Sequence, residues 1–247
     1  MSGHSKWAQI KRSKGVADAR RGQLFTKLGR EIMVAARQGG PDPNANFRLR
    51  LAIQRAKEQN MPQDNIERAV KRGAGAGEGA TLEEVLYEGY APGGAALLIE
   101  ALTDNRNRTV SEVRNILTRG GGSLGTAGSV AWLFESRGIV TIVPGKHDPE
   151  EIALLAIDGG ADDVNVESEP IEVYTEPQTL EDVRRVLEKA GIQVDSAEVS
   201  MQPKTTILLG EKEAIQTLRM VERLEELDDI QKVYFNADFD AEVLEKV

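Results

Sequence analysis

Apolar residues recur at helical spacing through the first third of the chain. Between residues 20 and 38, Phe25, Leu28, Ile32 and Ala35 share one side, leaving Lys27, Arg30 and Arg37 to the others, which predicts an amphipathic helix. Gly39, Gly40 and Pro41 end it, because proline cannot extend a helix and glycine tolerates a left-handed exit. Asn44 or Asn46 can cap a second helix carrying Leu49, Ile53 and Ala56. Pro62 suits the first turn of a third, with Ile66, Ala69 and Val70 facing inward. GAGAGEGA, residues 73–80, then reads as a flexible linker.

After the linker the pattern changes. Residues 85–90 and 95–102 read as strands, the second apolar enough to be central in a sheet. Thr109 with Glu112 fits a capping box ahead of a helix carrying Val110, Val113, Ile116 and Leu117. The glycine-rich run GGGSLGTAG, residues 120–128, leads to an expected strand at 130–134. Strands at 139–143, 164–166, 171–174 and 197–201, with helices at 149–157 and 180–190, then give the order β-α-β-β-α-β, the ferredoxin-like split motif. With residues 136–203 set aside, the strands at 95–102 and 130–134 and the helix between them join a strand at 206–209. A helix carrying Ile215, Leu218, Val221 and Leu224 and a strand at 230–235 complete the same order.

The expected fold class is therefore α+β and multidomain. An all-α domain with its linker occupies 1–80, a discontinuous α/β domain 81–135 and 204–247, and a second ferredoxin-like α/β domain is inserted over 136–203.

Charge changes the picture. Residues 1–72 hold 16 Lys and Arg against 6 Asp and Glu, while the remaining residues hold 15 against 34. A chain that is acidic on average, with net charge −9, thus opens on a basic module. Domains of ~80 residues have radii of gyration near 12 Å, so neighbouring centres lie roughly 25–30 Å apart. That is more than three Debye lengths of about 8 Å, so the acidic domains do not neutralise the basic surface. Eight of the cations (Lys6, Lys11, Arg12, Lys14, Arg20, Arg21, Lys27 and Arg30) precede the second acidic residue, and Trp7 sits among them. Cations neutralise phosphates and release counterions, and an indole can stack on an unpaired base. A second basic site, TDNRNRT at 103–109, would place Arg106 and Arg108 beside a helix N-terminus, where backbone N–H groups favour anions. The bland reading of that string is that Asp104 and the asparagines shape the turn.

Catalytic chemistry finds few parts. The chain has no Cys, which excludes a disulfide scaffold, a thiol nucleophile and thiolate zinc sites. His4 and His147 are its only histidines, and neither has a nucleophile-elbow context. The glycine-rich runs lack the phosphate-loop pattern, and GAGAGEGA follows a helix rather than a strand. The acidic run ERLEELDD, 222–229, lacks EF-hand spacing and reads as a solvated helix end. No enzyme activity, cofactor or metal is expected. With no long apolar run and charges where a signal peptide would need an apolar core, the chain reads as cytoplasmic. The residues leave the oligomeric state open, with a monomer as the favoured expectation.

Several long strings resemble the YebC/PmpR family, which includes mitochondrial translational activators of cytochrome oxidase subunit I. They are MSGHSKWAQIK at 1–11, FTKLGREI at 25–32, NMPQDNIERAVKRGAG at 60–75, YEGYAPGG at 87–94, TDNRNRT at 103–109 and LEELDD at 224–229. Gly29, inside FTKLGREI, departs from the larger residue usual there. The resemblance implies a helical N-terminal domain followed by two α/β domains, and a non-enzymatic role in gene expression. Many members are described as DNA-binding transcriptional regulators; others resemble translation factors acting on the ribosome, including at proline-rich stalling sites. The expected function is thus a cytoplasmic nucleic-acid-binding regulator, of transcription or, on ribosomal RNA, of translation. A protein adaptor working through the paired α/β domains is the reading from a different class. No recognition helix stands out, so sequence-specific readout has no support in the residues.

Overall fold

A computed structural model of the protein describes Gly3, Lys6, Trp7, residues 18–75 and residues 81–246. Contacts divide the chain into two compact units, one formed by Leu133–Lys204 and the other by the described residues of Ser2–Trp132 and Thr205–Val247.

In the larger unit, helices α1 (Asp18–Gly39), α2 (Phe47–Glu58) and α3 (Gln63–Gly73) pack around Leu28, Ile32, Ala35, Leu49, Ala52 and Ile66. Asn46 settles the choice of cap for α2. Its side-chain oxygen accepts from Leu49 N at 3.1 Å, while its amide donates to the Ala35 and Gly40 carbonyls, each at 2.8 Å. Gly73 lets α3 approach α1, because a Cβ there would overlap the Met33 carbonyl. Of the linker expected at 73–80, Gly73 still belongs to α3, Ala74 caps it and Gly75 takes a φ of 90°, while residues 76–80 lie outside the described residues.

The same unit holds an antiparallel sheet of four strands in the order β3-β1-β2-β9: β1 (Glu83–Tyr90), β2 (Ala96–Thr103), β3 (Ser123–Leu124) and β9 (Ile230–Phe235). Helices α4 (Arg106–Arg119) and α7 (Glu211–Glu225) supply Val113, Leu117, Leu218 and Val221 to a core shared with Leu97, Ile99 and Phe235. Each such buried aliphatic side chain contributes roughly 1.5–3 kcal/mol.

Two sequence expectations need correction here. The run at 206–209 enters this sheet nowhere. Only β8 (Ile207–Leu208) is extended, and it pairs in parallel with β10 (Ala237–Asp238) in a separate ribbon. Its apolar residues are not all core-facing: Leu208 is 74% exposed and only Leu209 is buried. The place beside β2 belongs to β1, which pairs with it over Glu83–Tyr90 through the Ala91–Ala95 turn. Residues 131–133 form a 3-10 turn rather than a strand, and extended chain resumes only at Phe134. Glu88 accounts for that turn. Its buried carboxylate accepts from Gly128 N, Val130 N and Ala131 N at 2.5–2.7 Å, consuming the amides a ladder would need.

The smaller unit follows the split motif. Strands β4 (Phe134–Ile142), β5 (Asp163–Asn165), β6 (Ile171–Thr175) and β7 (Val194–Pro203) lie in the order β5-β6-β4-β7, all antiparallel. Helices α5 (Pro149–Asp158) and α6 (Leu180–Lys189) connect the pairs that the sheet separates. Asp148 caps α5, accepting from Glu150 N at 2.9 Å, and Pro149 occupies its first position.

Candidate nucleic-acid interface

Several cations that the sequence assigns to phosphate are engaged within the larger unit. Lys6 Nζ donates to Asp238 Oδ1 at 3.1 Å and to the Phe239 carbonyl at 3.0 Å. Trp7 is 5% exposed and belongs to the core around Phe235 and Phe239, so its indole is a packing residue rather than a stacking platform. Lys27, on α1, donates to the Glu225 carbonyl at the C-terminal end of α7, where the helix dipole favours a cation. Arg106 pairs with Glu83 at 2.6 Å, both side chains more than half exposed. Arg21 is exposed. Lys11, Arg12 and Lys14, and the side chain of Arg20, lie outside the described residues.

Arg30 and Arg108 meet at Asp229. Arg30 Nη1 donates to Asp229 Oδ1 and Arg108 Nη2 to Oδ2, each at 2.6 Å, while Thr109 Oγ1 and Thr103 Oγ1 donate to Oδ2 at 2.7 and 3.0 Å. Arg30 also reaches the Asp228 and Leu102 carbonyls at 2.9 and 3.1 Å. The Asp229 side chain is 5% exposed, and burial by itself would raise its pKa. The hydrogen bonds from Arg108, Thr109, Arg30 and Thr103 outweigh that cost and hold the carboxyl down at about 2.

The acidic run at 222–229 thus ends in a buried hub, not in a solvated turn. TDNRNRT is its counterpart: Asn105, not Thr109, caps α4, accepting from Arg108 N at 3.1 Å, and Thr109 is wholly buried. Three separate strings, at 25–32, 103–109 and 224–229, converge here, and only the fold brings them together.

The cations that stand open are ones the sequence reading passed over. Arg68, Lys71 and Arg72 on α3 are exposed and make no ion pair among the described residues. A cleft of about 400 Å³ runs between α1 and α3. Phe25, Gly29, Met33 and Met61 line its floor, and Asn65, Arg68 and Arg72 form one wall. The signal was present in NIERAVKR, where Asn65, Arg68 and Arg72 fall at i, i+3 and i+7 on one helix face.

The glycine-rich run at 120–128 serves packing. A Cβ on Gly122 would overlap the Tyr90 carbonyl, and Gly121 and Gly128 take φ of 84° and 85°. Among the described residues no helix is long and apolar enough to cross a membrane, and no cluster of three metal-ligating side chains occurs.

A protein of Dehalococcoides mccartyi named "probable transcriptional regulatory protein" is 56% identical over 246 residues, spanning 100% of this chain and 98% of its own. A protein of the same name from Trichlorobacter lovleyi is 52% identical over 247 residues, covering 100% of both chains. The crystal structure of a conserved hypothetical protein from Aquifex aeolicus matches with a TM-score of 0.82 at 48% identity, over 90% of this chain and 92% of that one. The description "TACO1/YebC protein N-terminal domain" matches residues 5–76, and "TACO1/YebC second and third domain" matches residues 82–237. The chain belongs to the TACO1/YebC family.

Proposed function

We propose that the protein is a nucleic-acid-binding regulator of gene expression that binds DNA through its helical N-terminal part. The observation that carries this reading is the segregation of charge. Residues 1–72 hold 16 cationic against 6 acidic residues in a chain of net charge −9. Within them Arg68, Lys71 and Arg72 are exposed and unpaired among the described residues. Relatives named "probable transcriptional regulatory protein", matched over 98–100% of their own length, support the regulatory role. The reading needs no catalytic group, and a cytoplasmic location accords with it.

Fluorescence anisotropy of duplex DNA, titrated between low and moderate salt, tests the mechanism. If six phosphates are engaged, log affinity falls against log salt with a slope of roughly −5. A flat salt response overturns it. Cross-linking in cells followed by sequencing tests the target: recovery of promoter DNA supports a transcriptional role, and recovery confined to ribosomal RNA replaces it with a translational one.

A further inference from the structure

We infer that the cleft between α1 and α3 seats one unstacked nucleobase of a single strand, with the flanking phosphates on Arg68 and Arg72. This rests on the nucleic-acid reading above and names the form of nucleic acid it prefers. A duplex presents phosphates to a basic surface but keeps its bases stacked inside, so it needs cations and no concave apolar floor. This cleft has both. Its volume of about 400 Å³ falls within the range of small-ligand sites. Phe25, partly buried against the helical core, contributes an aromatic side chain to the lining, with the soft, polarisable Met33 and Met61 beside it on the floor. Asn65 brings an amide able both to donate to and to accept from a base edge. Arg68 and Arg72, one helical turn apart, stand over the rim with no carboxylate partner among the described residues.

The cleft between the helices and the sheet makes a useful contrast. It is of similar size, about 330 Å³, but its cations are answered within the chain: Arg48 and Arg55 pair with Glu84 and Glu31, Lys27 donates to the Glu225 carbonyl, and Lys232 neighbours Glu100. Its charges are already answered, so it does not draw a polyanion. Gly29 further marks the floor of the α1–α3 cleft. A Cβ there meets only Met61 Cε, at 3.8 Å, so a larger side chain enters the cleft without displacing α1.

The test uses the full chain with three labelled probes: a thymidine oligomer, a uridine oligomer of the same length, and a duplex. Stacking one base on an aromatic side chain is worth roughly a tenfold gain, so a single strand binds about 10-fold more tightly than the duplex. Gly29→Leu brings that ratio close to one, with circular dichroism reporting an intact helical fold. The double substitution Arg68→Ala, Arg72→Ala weakens all three probes. A 2-aminopurine placed in the strand changes its fluorescence on binding to the wild type but not to Gly29→Leu. The two sugars tell whether the strand is DNA or RNA, and either one showing the preference supports the site. A duplex bound as tightly as both single strands, or a Gly29→Leu protein that keeps the preference, overturns it while leaving salt-dependent DNA binding standing. Absence of salt-sensitive binding to every probe overturns the nucleic-acid reading as well.

Discussion

Asp229 keeps its charge where burial alone would neutralise it, because two guanidinium groups and two hydroxyls point at its oxygens. Its carboxyl ionises at about 2 in the folded chain against 3.8 ordinarily, a difference corresponding to about 2 kcal/mol. Because the folded value is the lower one, the stabilisation is complete above the unfolded pKa and fades as the pH falls toward the folded one. Asp229→Asn leaves Arg30 without its counter-charge and Arg108 with Asp104 alone, 2.8 Å away, so it should lower the unfolding free energy at pH 7 by about 2–3 kcal/mol. Urea titrations of both proteins at pH 7 and through the window from about 4 to 2 check this: the gap between them closes as the pH falls. Glu88 follows the same logic on a smaller scale. Burial raises its pKa, but the amides of Val130, Gly128 and Ala131 bring it below the usual carboxylate value. Glu88→Gln retains one acceptor oxygen in place of two, so about 1–3 kcal/mol should be lost. Limited proteolysis should then cut first within residues 125–131.

Among elements, α1 has the widest reach. It packs against α2 and α3 along one face and, through Lys27 and Arg30, holds the end of α7 with another. Its helical period was legible in the sequence because an amphipathic stripe repeats within a few residues. The partner of its cations was not, since Arg30 and Asp229 are 199 residues apart in the chain. The cap of α2 was likewise legible to within two residues. Asn46→Ala removes the cap and leaves the Ala35 and Gly40 carbonyls with one donor fewer, so thermal melting should show a loss of about 2 kcal/mol. The strand at 206–209 misled because a short apolar run looks the same in a sheet interior, an edge ribbon or a loop. Strand order rests on pairing between distant segments, and β1 was drawn to β2 by the short local turn between them.

At the scale of the whole molecule, charge segregation is the property most open to test. Reversing Arg68 and Arg72 to Glu changes exposed positions without ion pairs among the described residues, so stability should move by no more than about 0.5 kcal/mol per site. The salt slope for duplex DNA should become shallower by about 2, one contact for each cation lost. Composition and periodicity alone determined the basic opening, the three helices and the split β-α-β-β-α-β order of the smaller unit, because each is written in neighbouring residues; the family was legible only through the resemblance of its long contiguous strings. Tertiary structure alone decided which cations are spent. Lys6, Lys27, Arg30 and Arg108 find partners in segments remote along the chain, while Arg68, Lys71 and Arg72 meet none among the described residues. A positive charge in a sequence is only a capacity for an anion. Whether a carboxylate of the same chain or a phosphate from outside fills it depends on what folding brings within about 3 Å.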